Sequence, residues 1–297
     1  MLLNPFFKNR NSLALLLVIV LNLSCSKVTE YTVVSPNGEN VFTVFPDYFT
    51  DQTGGIGFEV MYEDKLVLLP SVVEITSNHF NFKGDWSVLK VDENKVENSW
   101  TTRFGELSEV PDNYQEIKIH LKKGDVLINF IARAYNEGVA FAYEIPEQGE
   151  VKELELDEKI HYNFNKDHML WSTPKREKGV LTAQGVYKKI PLSQLETGIE
   201  RPLLIEISDS VKIALAEANL VDYARLSYSK GTNSDFSIES SLDGRMAEEK
   251  QDTITGALVS ERNNDIFKVK RKLPFQSPWR VVMMGENEGE LLENNYL

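Results

Sequence analysis

The sequence predicts an all-β protein, built as a sandwich or a barrel. Three observations carry that expectation. In the clearest segment, Gln115 to Leu121, Ile117, Ile119 and Leu121 share one face while Lys118 and His120 share the other, the period of two of a half-buried strand. Strand-sized runs of this kind follow one another at short spacing, with turn residues between them. Helical periodicity is scarce, and Ala214 to Arg225 can be drawn as a helix or as a strand and loop.

The first residues stand apart from this pattern. Lys8 and Arg10 precede an apolar run from Leu13 to Leu23, which is short of the ~20 residues of a membrane span and has the layout of a signal peptide. Residues 1–24 read as a signal peptide of lipoprotein type, because the single cysteine, Cys25, follows Leu21-Asn22-Leu23-Ser24. Cys25 is the expected lipidation site, residues 25–30 a tether and 31–297 one β domain, exported to the cell envelope or periplasm and held at a membrane by its lipid alone. One cysteine allows no intrachain disulfide, so stability has to come from a packed core. Net charge is −13, and setting aside the +2 of Lys8 and Arg10 leaves −15. An acidic surface excludes nucleic acid as a partner and suits neutral ligands.

Strand-sized runs fall at Glu30–Val34, Val41–Phe45, Phe58–Tyr62 and Lys65–Leu69. Gly54-Gly55-Ile56-Gly57 precedes one of them and reads as a turn. Asp92 to Val110 is polar enough to predict a long surface loop. Lys122-Lys123-Gly124-Asp125 turns the strand from Gln115 back into Val126–Tyr135, a hairpin. Asn136-Glu137-Gly138 turns again into a strand bearing Phe141, Tyr143 and Ile145. Further runs lie at Leu203–Ile207, Lys212–Ala216 and Arg280–Met284, and the segment to Leu297 reads as closing strands.

Acyl-transfer and metal motifs are absent from this sequence: there is no G-x-S-x-G, H-E-x-x-H or C-x-x-C, and no phosphate loop. The four histidines are scattered; His120 belongs to a polar strand face, and His168 in Lys166-Asp167-His168-Met169-Leu170-Trp171 suits a loop anchor. Glycoside hydrolysis needs two carboxyls facing each other across a sugar. Glu217 and Asp222 are the best local pair by proximity, although a solvated or turn-capping role fits both better. Aromatic rings also bind sugars by packing against C–H faces. Of Trp86, Trp100, Trp171 and Trp279, the two set among polar residues, Trp100 and Trp171, are the expected sugar contacts.

Several separated segments together resemble the amino-terminal domain of glycoside hydrolase family 97. They are Ser35-Pro36-Asn37-Gly38, Trp100 to Gly105 with Asn113-Tyr114-Gln115-Glu116, Tyr135 to Glu144, Asp167-His168 with Trp171, Pro191-Leu192-Ser193, Glu217-Ala218 to Tyr223, and Pro278-Trp279-Arg280. The resemblance runs from about Tyr31 to Leu297. It implies a β super-sandwich of the galactose-mutarotase type, packed in the family against a (β/α)8 barrel that holds the catalytic carboxylates. The family's members are exported α-glucosidases and α-galactosidases that use calcium.

In that family the front domain lends a loop to the active site, and a glutamate on the loop helps to hold calcium. The matching position here is Gln184, a neutral ligand, so calcium is expected only together with a barrel. Ala142 stands where an arginine is usual, and Asp112-Asn113-Tyr114 replaces an Asn-His-Tyr run. The resemblance implies a carbohydrate-facing domain for an α-glucoside or α-galactoside, not catalytic by itself, with a barrel in cis or in trans. Trp171, Trp100 and Tyr187 are its expected carbohydrate-binding residues. A stand-alone sugar-binding surface lipoprotein is the alternative, and a mutarotase-like isomerase the third. Leu291, Leu292, Tyr296 and Leu297 are expected to belong to an apolar surface that a barrel covers.

Overall fold

A computed structural model describes residues 29–49, 54–105, 107–174, 185–244, 246–251, 258–262 and 265–295. The signal segment, Cys25, Gln184, Tyr296 and Leu297 lie outside the described residues. In chain order the strands are β1 (Tyr31–Val34), β2 (Asn40–Phe49), β3 (Gly54–Tyr62), β4 (Lys65–Ser77), β5 (Ser87–Thr101), β6 (Glu109–Lys123) and β7 (Val126–Tyr135). There follow β8 (Gly138–Ile145), β9 (Glu153–Asn163), β10 (Met169–Ser172), β11 (Lys188–Pro191), β12 (Leu203–Ser208), β13 (Val211–Ala218) and β14 (Leu226–Lys230). The last are β15 (Ser237–Leu242), β16 (Met246–Gln251), β17 (Leu258–Arg262), β18 (Val269–Lys272), β19 (Phe275–Gln276) and β20 (Trp279–Gly285), before one short helix, α1 (Glu288–Leu292).

All but β16 and β17, which pair with each other as a separate hairpin, form two antiparallel sheets packed as a sandwich. The smaller runs β1-β2-β3-β4-β9-β15-β14, with β18 also on β9. The larger runs β11-β10-β12-β13-β20-β8-β7-β6-β5, with β19 on β8. Alternation places Phe42 and Phe58 of the small sheet and Phe130 and Phe141 of the large one inward, all buried. Their rings meet in a column, with centroids 5.6 Å apart for Phe42–Phe58, 4.9 Å for Phe58–Phe141 and 5.5 Å for Phe130–Phe141. Each such ring contributes about 1.5–3 kcal/mol through removal from water. The all-β sandwich expected from the sequence is therefore present.

Three local expectations are corrected. Gly54 to Gly57 is not a turn but the start of β3. A Cβ on Gly55 would meet Val73 O at 2.1 Å and one on Gly57 would meet the Tyr48 side chain at 2.5 Å, so the glycines serve close approach of neighbouring chain. Asp92 to Val110 is not a long loop: β5 and β6 form one long hairpin, paired from Ser87↔Lys122 to Thr101↔Glu109. Its polarity reflects an edge strand, which is wetted on both faces and bears the charges that guard a free edge. The chain after β20 turns into α1 rather than a strand, with Asn287 as N-cap accepting from Glu290 N at 3.1 Å. Ala214 to Arg225 resolves as the end of β13 and a loop.

Candidate functional site

The sites follow from which side chains each strand turns outward. On β10, Leu170 points into the core and Trp171 outward, between β12 and β11. Trp171 is 38% exposed, whereas Trp86 and Trp279 are 7% and 6%, so only the former presents a ring here. Its indole N–H donates to Glu206 Oε1 at 3.1 Å. Lys189, directly across from Trp171 on β11, places Nζ 2.7 Å from the same oxygen and 5.7 Å from the ring centroid. The Lys189 ammonium holds the Glu206 carboxyl below the usual carboxylate range; partial burial opposes this and the indole N–H adds to it.

Trp171 stands at the root of the β10–β11 connection, part of which is residues 175–184, outside the described residues. At the other root Tyr187 is 49% exposed. The two roots are pinched together, since a Cβ on Gly185 would meet Thr173 Oγ1 at 2.0 Å. His168 anchors the same corner: it is buried, with Nδ1 3.1 Å from Glu206 O and Nε2 3.1 Å from Asn165 Oδ1. Burial lowers its pKa, and the two contacts brace the ring at this corner. Asp167 fixes the turn beyond β11 by accepting from Ser193 N at 2.8 Å.

Trp100 belongs elsewhere. It lies on β5, seven strands along the large sheet from β10, and at ~4.8 Å per strand that is about 30 Å. The structure thus brings Trp171 and Tyr187 to one corner and leaves Trp100 at the opposite edge. Trp100 lines a cleft with Phe104, Leu107 and Val110 of its own hairpin and Leu292 of α1. Trp100, Phe104, Leu107 and Leu292 are 50%, 88%, 48% and 87% exposed, while Leu291 is buried. Between the two edges the outer face is closed: Arg133 stacks 4.2 Å from both the Tyr114 and Trp279 centroids, over a floor that includes buried Ala140 and Ala142.

Glu217 and Asp222 do not face each other. Asp222 is exposed, at φ +49°, and pairs with Arg271 at 2.6 Å. Glu217 is not solvated but buried, accepting from Arg280 Nη1 at 3.0 Å and pairing closely with Arg201. Burial pushes the Glu217 carboxyl up, against the pull of both arginines. Arg280 also donates to Glu158 of the opposite sheet at 2.7 and 3.1 Å, and Tyr143 O–H to the same carboxylate at 2.8 Å. Sequence reading missed this clamp; its one signal was a lone arginine among Trp279, Val281 and Val282. Among the described residues no three carboxylate, imidazole or thiol groups converge as a metal site.

The model of the glycosyl-hydrolase 97 N-terminal family matches residues 33–297. The chain belongs to this family. It is 26% identical over 296 residues to a retaining alpha-galactosidase of Bacteroides thetaiotaomicron, covering 95% of this chain and 42% of that enzyme. A family 97 glycoside hydrolase from Pseudoalteromonas sp. strain K8, solved with acarbose, shares the fold with TM-score 0.71 and 22% identity, over 88% of this chain and 36% of that one. A beta-arabinopyranosidase shares it with TM-score 0.70 and 20% identity, over 86% and 40%. The sequence thus spans well under half the length of these relatives, and matches their N-terminal part. This glycoside hydrolase 97 N-terminal domain has the β super-sandwich architecture expected of it.

Proposed function

We propose that the chain is the carbohydrate-facing front domain of an exported family 97 glycoside hydrolase, acting on an α-glucoside or α-galactoside. It lends the β10–β11 connection to an active site whose acid and base stand on a (β/α)8 barrel, in cis or in trans. The family match over residues 33–297 carries this reading. The corner of Trp171 and Tyr187 is then the sugar-facing edge. The cleft of Trp100, Phe104, Leu107 and Leu292 is the seat of the barrel, because α1 lies at the point where the relatives' chains continue. Gln184 would supply calcium with one neutral oxygen, the charged ligands coming from the barrel. Cys25 carries a lipid that tethers the domain at the cell envelope; a Cys25→Ser variant should leave the membrane fraction.

The test is an assay of the purified chain on aryl α-glucosides and α-galactosides. No turnover is expected from the chain alone, since the chemistry needs a facing carboxyl pair. Turnover abolished by one Glu or Asp substitution in this chain would overturn the reading. The exposed Trp171 ring also favours a second reading, a stand-alone sugar-binding surface lipoprotein, in which the Trp100 cleft would bind no barrel.

A further inference from the structure

Resting on the carbohydrate-facing reading above, we propose that Trp171, Glu206 and Lys189 form a subsite for one neutral pyranoside on the outer face of the large sheet. The three residues come from β10, β12 and β11, and side chains on one face of adjacent strands stand ~5 Å apart, within reach of a single sugar ring. Trp171 supplies the plane. Its indole is tied at Nε1 by Glu206 Oε1 at 3.1 Å, so the ring is oriented before any ligand arrives and loses little rotamer freedom on stacking. Its exposure of 38% contrasts with the buried Trp279 of the same sheet face.

Glu206 and Lys189 supply the polar edge. Glu206 Oε1 takes both the indole N–H and the Lys189 ammonium, while among the described residues Oε2 takes no donor and remains an acceptor for a sugar hydroxyl. Lys189 keeps further N–H donors for a neighbouring hydroxyl. An acceptor and a donor side by side at the rim of a ring match two vicinal hydroxyls of a pyranose. Their charges cancel, so the subsite offers a uronate no net attraction, and the chain's net charge of −13 opposes anionic sugars further. A neutral hexopyranoside is the class that fits.

Saturation-transfer NMR on the full chain with methyl α-glucoside, methyl α-galactoside and glucuronate tests this. Transfer to both glycosides but not to glucuronate is expected, together with quenching of tryptophan fluorescence. Trp171→Ala should abolish both signals, and Trp100→Ala should leave them unchanged. Glu206→Gln should weaken binding about tenfold, since a hydrogen bond to a charged acceptor is replaced by a neutral one, with a shifted Trp171 indole N–H resonance. Glycoside binding that survives Trp171→Ala overturns the subsite while leaving the carbohydrate-facing reading intact. Glucuronate bound as well as the glycosides overturns the charge argument and with it the subsite. No transfer to either glycoside from the parent chain overturns the subsite, while the carbohydrate-facing reading is decided by the turnover assay above.

Discussion

The two edges of the large sheet each expose a tryptophan, yet they are built on opposite principles. At the β10–β11 edge Trp171 is tied by its N–H to a carboxylate and flanked by an ammonium, so its exposed surface is oriented and polar at the rim. At the β5–β6 edge Trp100 is grouped with Phe104, Leu107 and Leu292, exposed apolar side chains in a cleft that Thr102, Glu293 and Asn295 also line. An oriented ring with polar neighbours suits a small hydroxylated ligand, whereas an apolar cleft suits a protein surface. Residue type alone does not assign function; the neighbours across the strands do.

Both edges depend on the clamp that joins the two sheets, and breaking it has the largest expected effect. Arg280 and Glu158 join the two sheets with exposures of 1% and 0%, and burial alone would pull the arginine's pKa down, but the Glu158 carboxylate reverses this. Arg280→Ala would leave Glu158 a buried charge without its cation, while Glu217 keeps Arg201, costing about 3–5 kcal/mol; urea unfolding checks it, and both edges should lose their properties together. A loss below 1 kcal/mol would mean the clamp is not what fixes the sheets. Phe141→Ala, in the aromatic column, should cost about 3–5 kcal/mol by the same measurement.

Substitutions at the edges separate them. Trp100→Ser with Phe104→Ser should leave stability within about 0.5 kcal/mol, as for exposed positions. It should also abolish binding of a hydrophobic dye and lower self-association in light scattering. A parent chain that is monodisperse and dye-free over a wide concentration range would remove the contrast between the edges. The smallest effect is acid sensitivity at Glu206. Its folded pKa is depressed, so the stability it contributes is present above its unfolded value and lost as pH falls through the folded value. Trp171 fluorescence should therefore hold through neutral pH and change only below the usual carboxylate range. A transition near pH 7 would assign the ring's orientation to another group.

The sequence by itself determined the strands and their faces, because alternation is local and survives in any sheet. The hairpins of β6, β7 and β8 were legible for that reason, and so was the exposure of Trp100 and Trp171 among polar neighbours. Where the local signal was ambiguous, the reading failed. Gly54 to Gly57 looked like a turn because the contacts that need glycine come from Tyr48 and Val73. The β5 hairpin looked like a loop because an edge strand lacks a buried face. Tertiary structure alone decided which of these side chains meet. It put Lys189 and Glu206, which lie 18 and 35 residues from Trp171 in sequence, on the strands that flank it. It set Trp100 seven strands away, and it folded Glu217 into a buried clamp while leaving Asp222 in water. Strand order arises from pairings between distant segments, and no local periodicity encodes which strand lies beside which.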